Sequence, residues 1–148
     1  MPTLDPVSRL RHIPVAAVLL LTALGGCGGS GICPAQGKVV YKDGSPIQPL
    51  VGGTVVFQPL DPAIRTGARG IIQEDGSFKL GTFKNDDGAA PGRYRAFLTP
   101  PAPGAAALRK GNVPRLVQPR YQSSTDSPLE YVVSAGDKND YTITVERP

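Results

Sequence analysis

The sequence predicts an all-β fold, a sandwich of seven short strands, and three observations lead to it. The chain of 148 residues contains 18 glycines and 16 prolines, so segments between turn-formers are short. Within those segments apolar residues alternate with polar ones, which is the period of a strand with one buried face. From residue 36 onward no stretch has helical periodicity, and no repeat of about 20 to 50 residues recurs, which excludes a solenoid or propeller. Seven such segments, with turn signals between most of them, predict a β-sandwich.

The strands follow in order. Residues 37–42 place Val39 and Tyr41 on one face, and the Asp43-Gly44 pair after them supplies the positive φ of a tight turn. Residues 54–58 set Val55 and Phe57 against Val56. Residues 69–73 and 77–82 flank Glu74-Asp75-Gly76, the clearest hairpin signal, with Phe78 and Leu80 sharing a face opposite Lys79. Residues 92–99 place Tyr94, Ala96 and Leu98 together and Arg93 and Arg95 opposite, the alternation of a half-exposed strand. Residues 129–134 and 141–146 complete the set, the latter with Tyr141, Ile143 and Val145 inward and Thr142, Thr144 and Glu146 outward. Residues 135–140 between them read as a polar loop. Residues 100–128 hold six prolines, two glycines and a short alanine run that can make only a turn or two of helix. A loop of that length is functional or disordered more often than incidental.

The N-terminus carries a different signal. Arg9, Arg11 and His12 precede an apolar run from Ile13 to Leu24, and Gly25-Gly26-Cys27 follow. A basic segment, an apolar stretch of about 7 to 15 residues and a small-residue cleavage site make an export signal. Leu24-Gly25-Gly26-Cys27 resembles a lipobox, which implies cleavage before Cys27, a diacylglycerol thioether on its sulfur and an acyl chain such as palmitate on its amine. Two or more chains give a stable anchor. A membrane-spanning helix needs about 20 apolar residues, more than this run provides; an ordinary secretory signal cleaved elsewhere is the remaining alternative. Gly28 after the cysteine, in place of an aspartate, resembles sorting to the outer membrane of a bacterial envelope. Residues 1–26 are thus a signal peptide, 27–35 a lipidated cysteine and Gly/Ser tether, and 36–148 the domain. With Cys27 lipidated, Cys33 is left as a lone thiol, either inert or paired with another chain.

Removing residues 1–26 leaves 122 residues, enough for one domain with one core. The charge of +4 loses Arg9, Arg11 and Asp5, which leaves 14 cations, 11 anions and a mild excess of +3. The cations are scattered, with no basic stripe interleaved with aromatics, so nucleic acid is not an expected partner.

Four motifs occur in order: Gly37-Lys38-Val39 through Asp43-Gly44-Ser45-Pro46, Val55-Val56-Phe57, Asp75-Gly76-Ser77-Phe78 and Pro91-Gly92-Arg93-Tyr94. Together they resemble the carboxypeptidase-regulatory-like, transthyretin-like domain over about residues 36–99, in the form carried alone by small bacterial lipoproteins. The resemblance implies a seven-stranded prealbumin-like sandwich with no settled molecular function.

The chemistry points away from catalysis. The transthyretin-fold hydrolase of 5-hydroxyisourate uses histidines and a C-terminal Tyr-Arg-Gly-Ser, whereas the one histidine here, His12, lies in the signal and the chain ends Val145-Glu146-Arg147-Pro148. A zinc site and a Ser-His-Asp nucleophile lack their histidine for the same reason. Glu74, Asp75, Asp86 and Asp87 fall in predicted turns, and neither residues 85–88 nor 137–140 match a calcium loop. Lys38 and Lys79 point outward by alternation, against an isopeptide crosslink. No cofactor or metal is expected. The leading expectation is a non-catalytic, lipid-anchored module that meets an envelope protein through residues 100–128, with Arg109, Lys110, Arg120 and Tyr121 as contacts. The alternative is binding of a carbohydrate or envelope polymer, with an exposed Tyr121 stacking on sugar beside Arg120, Arg93 and Arg95.

Overall fold

The computed structural model describes residues 31–104, 108–109 and 114–148. The expected signal peptide at residues 1–26, Cys27 and Lys110 lie outside the described residues. The described residues form a mostly β domain of two sheets that share one core, a sandwich-like arrangement. Its strands are β1 (Ala35–Tyr41), β2 (Thr54–Pro59), β3 (Ala68–Ile71), β4 (Ser77–Lys79), β5 (Gly92–Thr99), β6 (Leu129–Val133) and β7 (Asn139–Val145). One sheet has the order β4-β1-β7 and the other β3-β2-β5-β6. All pairs are antiparallel except β1 with β7, which run parallel from Ala35 opposite Asn139 to Tyr41 opposite Val145.

The inward faces follow the alternation. Val39, Phe78 and Ile143 from the first sheet meet Phe57, Tyr94 and Leu98 from the second, all essentially without solvent contact. Phe57 is the hub: its ring centroid lies 5.9 Å from Tyr94, 5.5 Å from Tyr131 and 5.5 Å from Tyr141. Gly37 is required by close approach, because a Cβ there would run into the Tyr141 carbonyl oxygen and the Phe78 ring.

The hairpin expected at residues 69–82 forms at its turn but is corrected in its pairing. Gln73 N–H donates to Ser77 O at 2.8 Å and Arg69 bridges Gly81, yet β3 pairs along its length with β2 and β4 with β1. Period-two alternation is satisfied equally in either sheet, so it sets facing and leaves the partner open. On the opposite side, β6 and β7 belong to different sheets and are stitched by two phenols. The Tyr141 hydroxyl donates to Val132 O at 2.8 Å and the Tyr131 hydroxyl to Thr142 O at 3.3 Å. These bonds occupy carbonyls that an edge strand would otherwise offer to another chain.

Residues 135–140 are also not simply a loop. β7 begins at Asn139, which is 6% exposed. Its Oδ1 accepts from Ser134 N–H at 2.9 Å, and its Nδ2 donates to Ser134 O at 3.1 Å and Pro34 O at 3.2 Å. One amide therefore joins the β6–β7 turn to the residue just before β1. An asparagine in a polar stretch gives no sign of this, because the clasp depends on a residue 105 positions away.

Burial raises the phenol pKa values of Tyr41, Tyr94, Tyr131 and Tyr141, and pushes Tyr141, with the neighbouring Tyr94 adding to it, up to about 12. The native state thus favours the neutral phenols. Their contribution is fully present below the unfolded value of about 10 and is lost as pH rises through the raised native values. Urea midpoints are expected to fall steeply between about pH 10 and about pH 12, and a flat midpoint across that window would contradict the burial of these rings.

Candidate functional site

Two regions are candidates for a functional surface, the end where the chain enters the domain and the proline-rich segment. The strand directions define the entry end. β1 and β7 start there, so it holds residues 31–34, the loop 60–67 after β2, the turn 82–88 after β4 and the loop 134–138 before β7.

At this end Cys33 is fully buried and forms an antiparallel bridge with Ala89 through Cys33 N–H to Ala89 O at 2.9 Å and Ala89 N–H to Cys33 O at 3.0 Å. Cys33 is disulfide-bonded, which corrects the expectation of a lone thiol. The other cysteine of the chain is Cys27. The tether is also shorter than expected: Ile32 and Cys33 are buried parts of the domain and not spacer. Gly88 holds φ at +105°, and a Cβ there would collide with the Cys33 carbonyl, so the turn closes tightly onto the entering strand.

That turn is organised by one carboxylate. Asp87 accepts from Thr82 N–H at 2.6 Å, Phe83 N–H at 3.2 Å and Lys84 N–H at 3.0 Å, while the Thr82 hydroxyl donates to Gly88 O at 2.8 Å. Desolvation opposes its charge, but the three amides and Lys84 outweigh this and hold the Asp87 carboxyl below its ordinary value. The carboxylate is thus spent on the backbone, as is Asp75, which accepts from the Ser77 amide and hydroxyl. Among the described residues no group of three His, Cys, Asp or Glu is placed to hold a metal ion. Because the native pKa is depressed, the stability Asp87 contributes is complete above its unfolded value of about 3.9 and is lost as pH falls through the native one. Asp87→Asn is expected to lower the melting temperature at neutral pH, to flatten the acid limb, and to speed amide exchange at Thr82, Phe83 and Lys84. Unchanged exchange at those three amides would refute this role.

The turn also presents Phe83, which is 69% exposed beside Lys84. Alternation did not single it out, because it lies past the end of β4. The available signal was an aromatic in an otherwise polar turn.

Residues 100–128 divide into two parts. Residues 114–128 are docked: Val117 is buried, Gln118 N–H donates to Glu146 O at 3.0 Å, and the Tyr41 hydroxyl donates to Leu116 O at 2.9 Å. A 3-10 turn at Pro119–Gln122 carries Arg120 and Tyr121. Tyr121 is only 5% exposed and belongs to the core, which corrects its expected role as an exposed stacking ring. Its strand-less, polar sequence neighbours concealed this. Arg120 lies over the Tyr121 ring at 4.9 Å and ion-pairs with Glu146, which also binds Lys42 at 2.8 Å. Arg109 stands apart, exposed next to Leu108, itself 59% exposed. Both residues are helical, with Leu108 N–H donating to Gly104 O at 3.2 Å. Arg93 and Arg95 sit on the outer face of β5 and share Glu130 at 3.2 and 3.0 Å. The candidate contact residues are therefore split between a docked pair and an exposed helical turn.

These features define a mostly β, sandwich-like domain in which the turn carboxylates Asp75 and Asp87 are engaged in holding the fold. No protein-family model matches the chain, and no curated protein or solved structure matches it either.

Proposed function

We propose that this chain is a lipid-anchored bacterial envelope protein whose prealbumin-like sandwich binds a protein partner and catalyses no reaction. Seven strands divided three and four over one core support the prealbumin-like reading. The contact segment is narrowed from residues 100–128 to 100–113, because the second half of that stretch packs against the domain. The exposure of Leu108 beside Arg109, on a proline-flanked segment outside both sheets, is the observation that carries the partner reading. Arginine is enriched at protein contacts relative to the rest of the surface, and Arg109 stands in water beside this apolar residue. The glycan alternative loses its stacking ring with the burial of Tyr121.

Cys33 is disulfide-bonded, and while that bond stands a lipidated Cys27 requires that the Cys33 partner be a cysteine of another chain. Intact-mass analysis of the membrane fraction therefore tests the anchor: a diacylglyceryl adduct on an N-terminal Cys27, lost together with membrane association in Cys27→Ser, is the expected result. An unmodified mass with a disulfide inside a single chain would overturn it. For the partner, a photo-crosslinker at Leu108 should capture one protein in intact cells while the same probe at Thr144 captures none. Equal capture at both positions, or none at Leu108, would sink the reading.

A further inference from the structure

We infer that Cys33 controls whether Cys27 is lipidated: the two cysteines close a disulfide within one chain, and that bond is a second covalent fate of the sulfur that the lipobox offers to lipid. This rests on the lipid-anchored reading of Cys27 and adds to it a modification site and a condition for anchoring.

The disulfide on Cys33 carries the argument. Two observations favour Cys27 as its partner over a cysteine of a second chain. Cys33 is 1% exposed, and its amide and carbonyl are both bonded to Ala89, at 2.9 and 3.0 Å, so a second folded chain would have to open the domain to reach the sulfur. Cys27 lies in the same entering segment, separated from Cys33 only by Gly28-Gly29-Ser30-Gly31-Ile32. A short Gly/Ser-rich linker is flexible and presents one end to the other at an effective concentration on the order of millimolar, above that of a separate chain. Gly31 holds φ at +68°, the left-handed conformation that turns a chain within so small a ring.

The two fates meet at one atom. In the first, the Sγ atoms of Cys27 and Cys33 bond to each other, and the two electrons and two protons released reduce the disulfide of an envelope thiol–disulfide oxidoreductase. In the second, the Cys27 thiolate attacks the glyceryl carbon of a phospholipid. A C–S bond forms, the C–O bond to the headgroup phosphate breaks, and the phosphate leaves with the thiol proton. The thiolate is the nucleophile, so a Cys27 sulfur already in a disulfide does not accept lipid. A chain oxidised first is exported without an anchor, and a chain lipidated first keeps Cys33 as a buried thiol.

The test expresses the full chain in a bacterium whose envelope holds such an oxidoreductase, labels it with an alkyne palmitate, and compares media with and without dithiothreitol. Cys33→Ser and Cys33→Ala are run beside the parent, with Cys27→Ser as the blank. Label is read per denatured chain, so the comparison does not require the variants to fold. Dithiothreitol is expected to raise the lipidated fraction of the parent about twofold or more, as exchange moves the pair to thiols, while both Cys33 variants stand at the higher level in either medium. Parent chain in the soluble fraction should run as a monomer without reductant and take up maleimide at both cysteines only after reduction. Equal or lower labelling of the Cys33 variants than of the parent without dithiothreitol overturns this inference and leaves the anchor standing. A parent that runs as a disulfide-linked adduct, lost in Cys33→Ser, overturns it as well and assigns the partner of Cys33 to another chain. No label on the parent or on either Cys33 variant in either medium overturns the anchor reading and this inference with it.

Discussion

Phe57→Ala is expected to destabilise the domain by about 4 kcal/mol, the middle of the range for loss of a buried ring. Phe57 is fully buried at the centre of the aromatic cluster, within 6 Å of Tyr94, Tyr131 and Tyr141 by ring centroids. Its neighbours across the sheet cannot close the hole, because the residues paired with it on β3 and β5 are Ala68 and Ala96. Tyr131 and Tyr141 are also held in place, since their hydroxyls are bonded to the backbone of the opposing strand. The cavity therefore stays open, and the loss includes both the transferred apolar surface and the missing dispersion contacts. Urea denaturation at constant slope would give the value, and Phe57→Leu should restore about half of it. A loss below about 1 kcal/mol would show that the rings collapse into the space and that Phe57 is not the hub.

Asn139→Asp should cost about 3 to 4 kcal/mol at neutral pH, because it converts a satisfied amide into a charge facing carbonyl oxygens. Oδ1 can still accept from Ser134 N–H, but the Nδ2 donor to Pro34 O and Ser134 O is replaced by an acceptor. The protonated acid can donate one of those bonds back, so the native state favours the neutral form and the new carboxyl pKa is raised. The stability of the variant is then highest below the unfolded value of about 3.9 and falls as pH rises through the raised native value. That slope is opposite in sign to the one expected from Asp87. The difference in urea midpoint between Asn139→Asp and the parent should narrow as pH is lowered from about 7 to about 4, and a gap independent of pH would refute the proposed geometry.

These two residues differ in how far the sequence revealed them. Phe57 was legible as sharing a strand face with Val55, because a strand exposes alternate side chains to alternate faces, and the structure decided that this face, not that of Val56, is the buried one. The same rule placed Phe78, Leu80, Tyr94 and Ile143 in the core, where they lie. Asn139 was not legible, because a polar residue beside Gly136 and Asp137 reads as a turn unless its distant partner is known. Tyr121 failed for the same reason. It has no alternating neighbours, and its burial comes from docking of residues 114–128 against Glu146 and Tyr41.

The sequence by itself determined the strand segments, which side chains share a face in most of them, and the candidate anchor at Cys27, because periodicity, turn chemistry and the order of a leader are local properties of the chain. Only the tertiary structure decided which strands share a sheet, that the hairpin at residues 69–82 divides between two, and that Tyr121 is a core residue while Phe83 stands in solvent. Those outcomes depend on contacts between residues far apart in the chain. Local alternation is compatible with several such pairings, and the shape of the shared core selects among them.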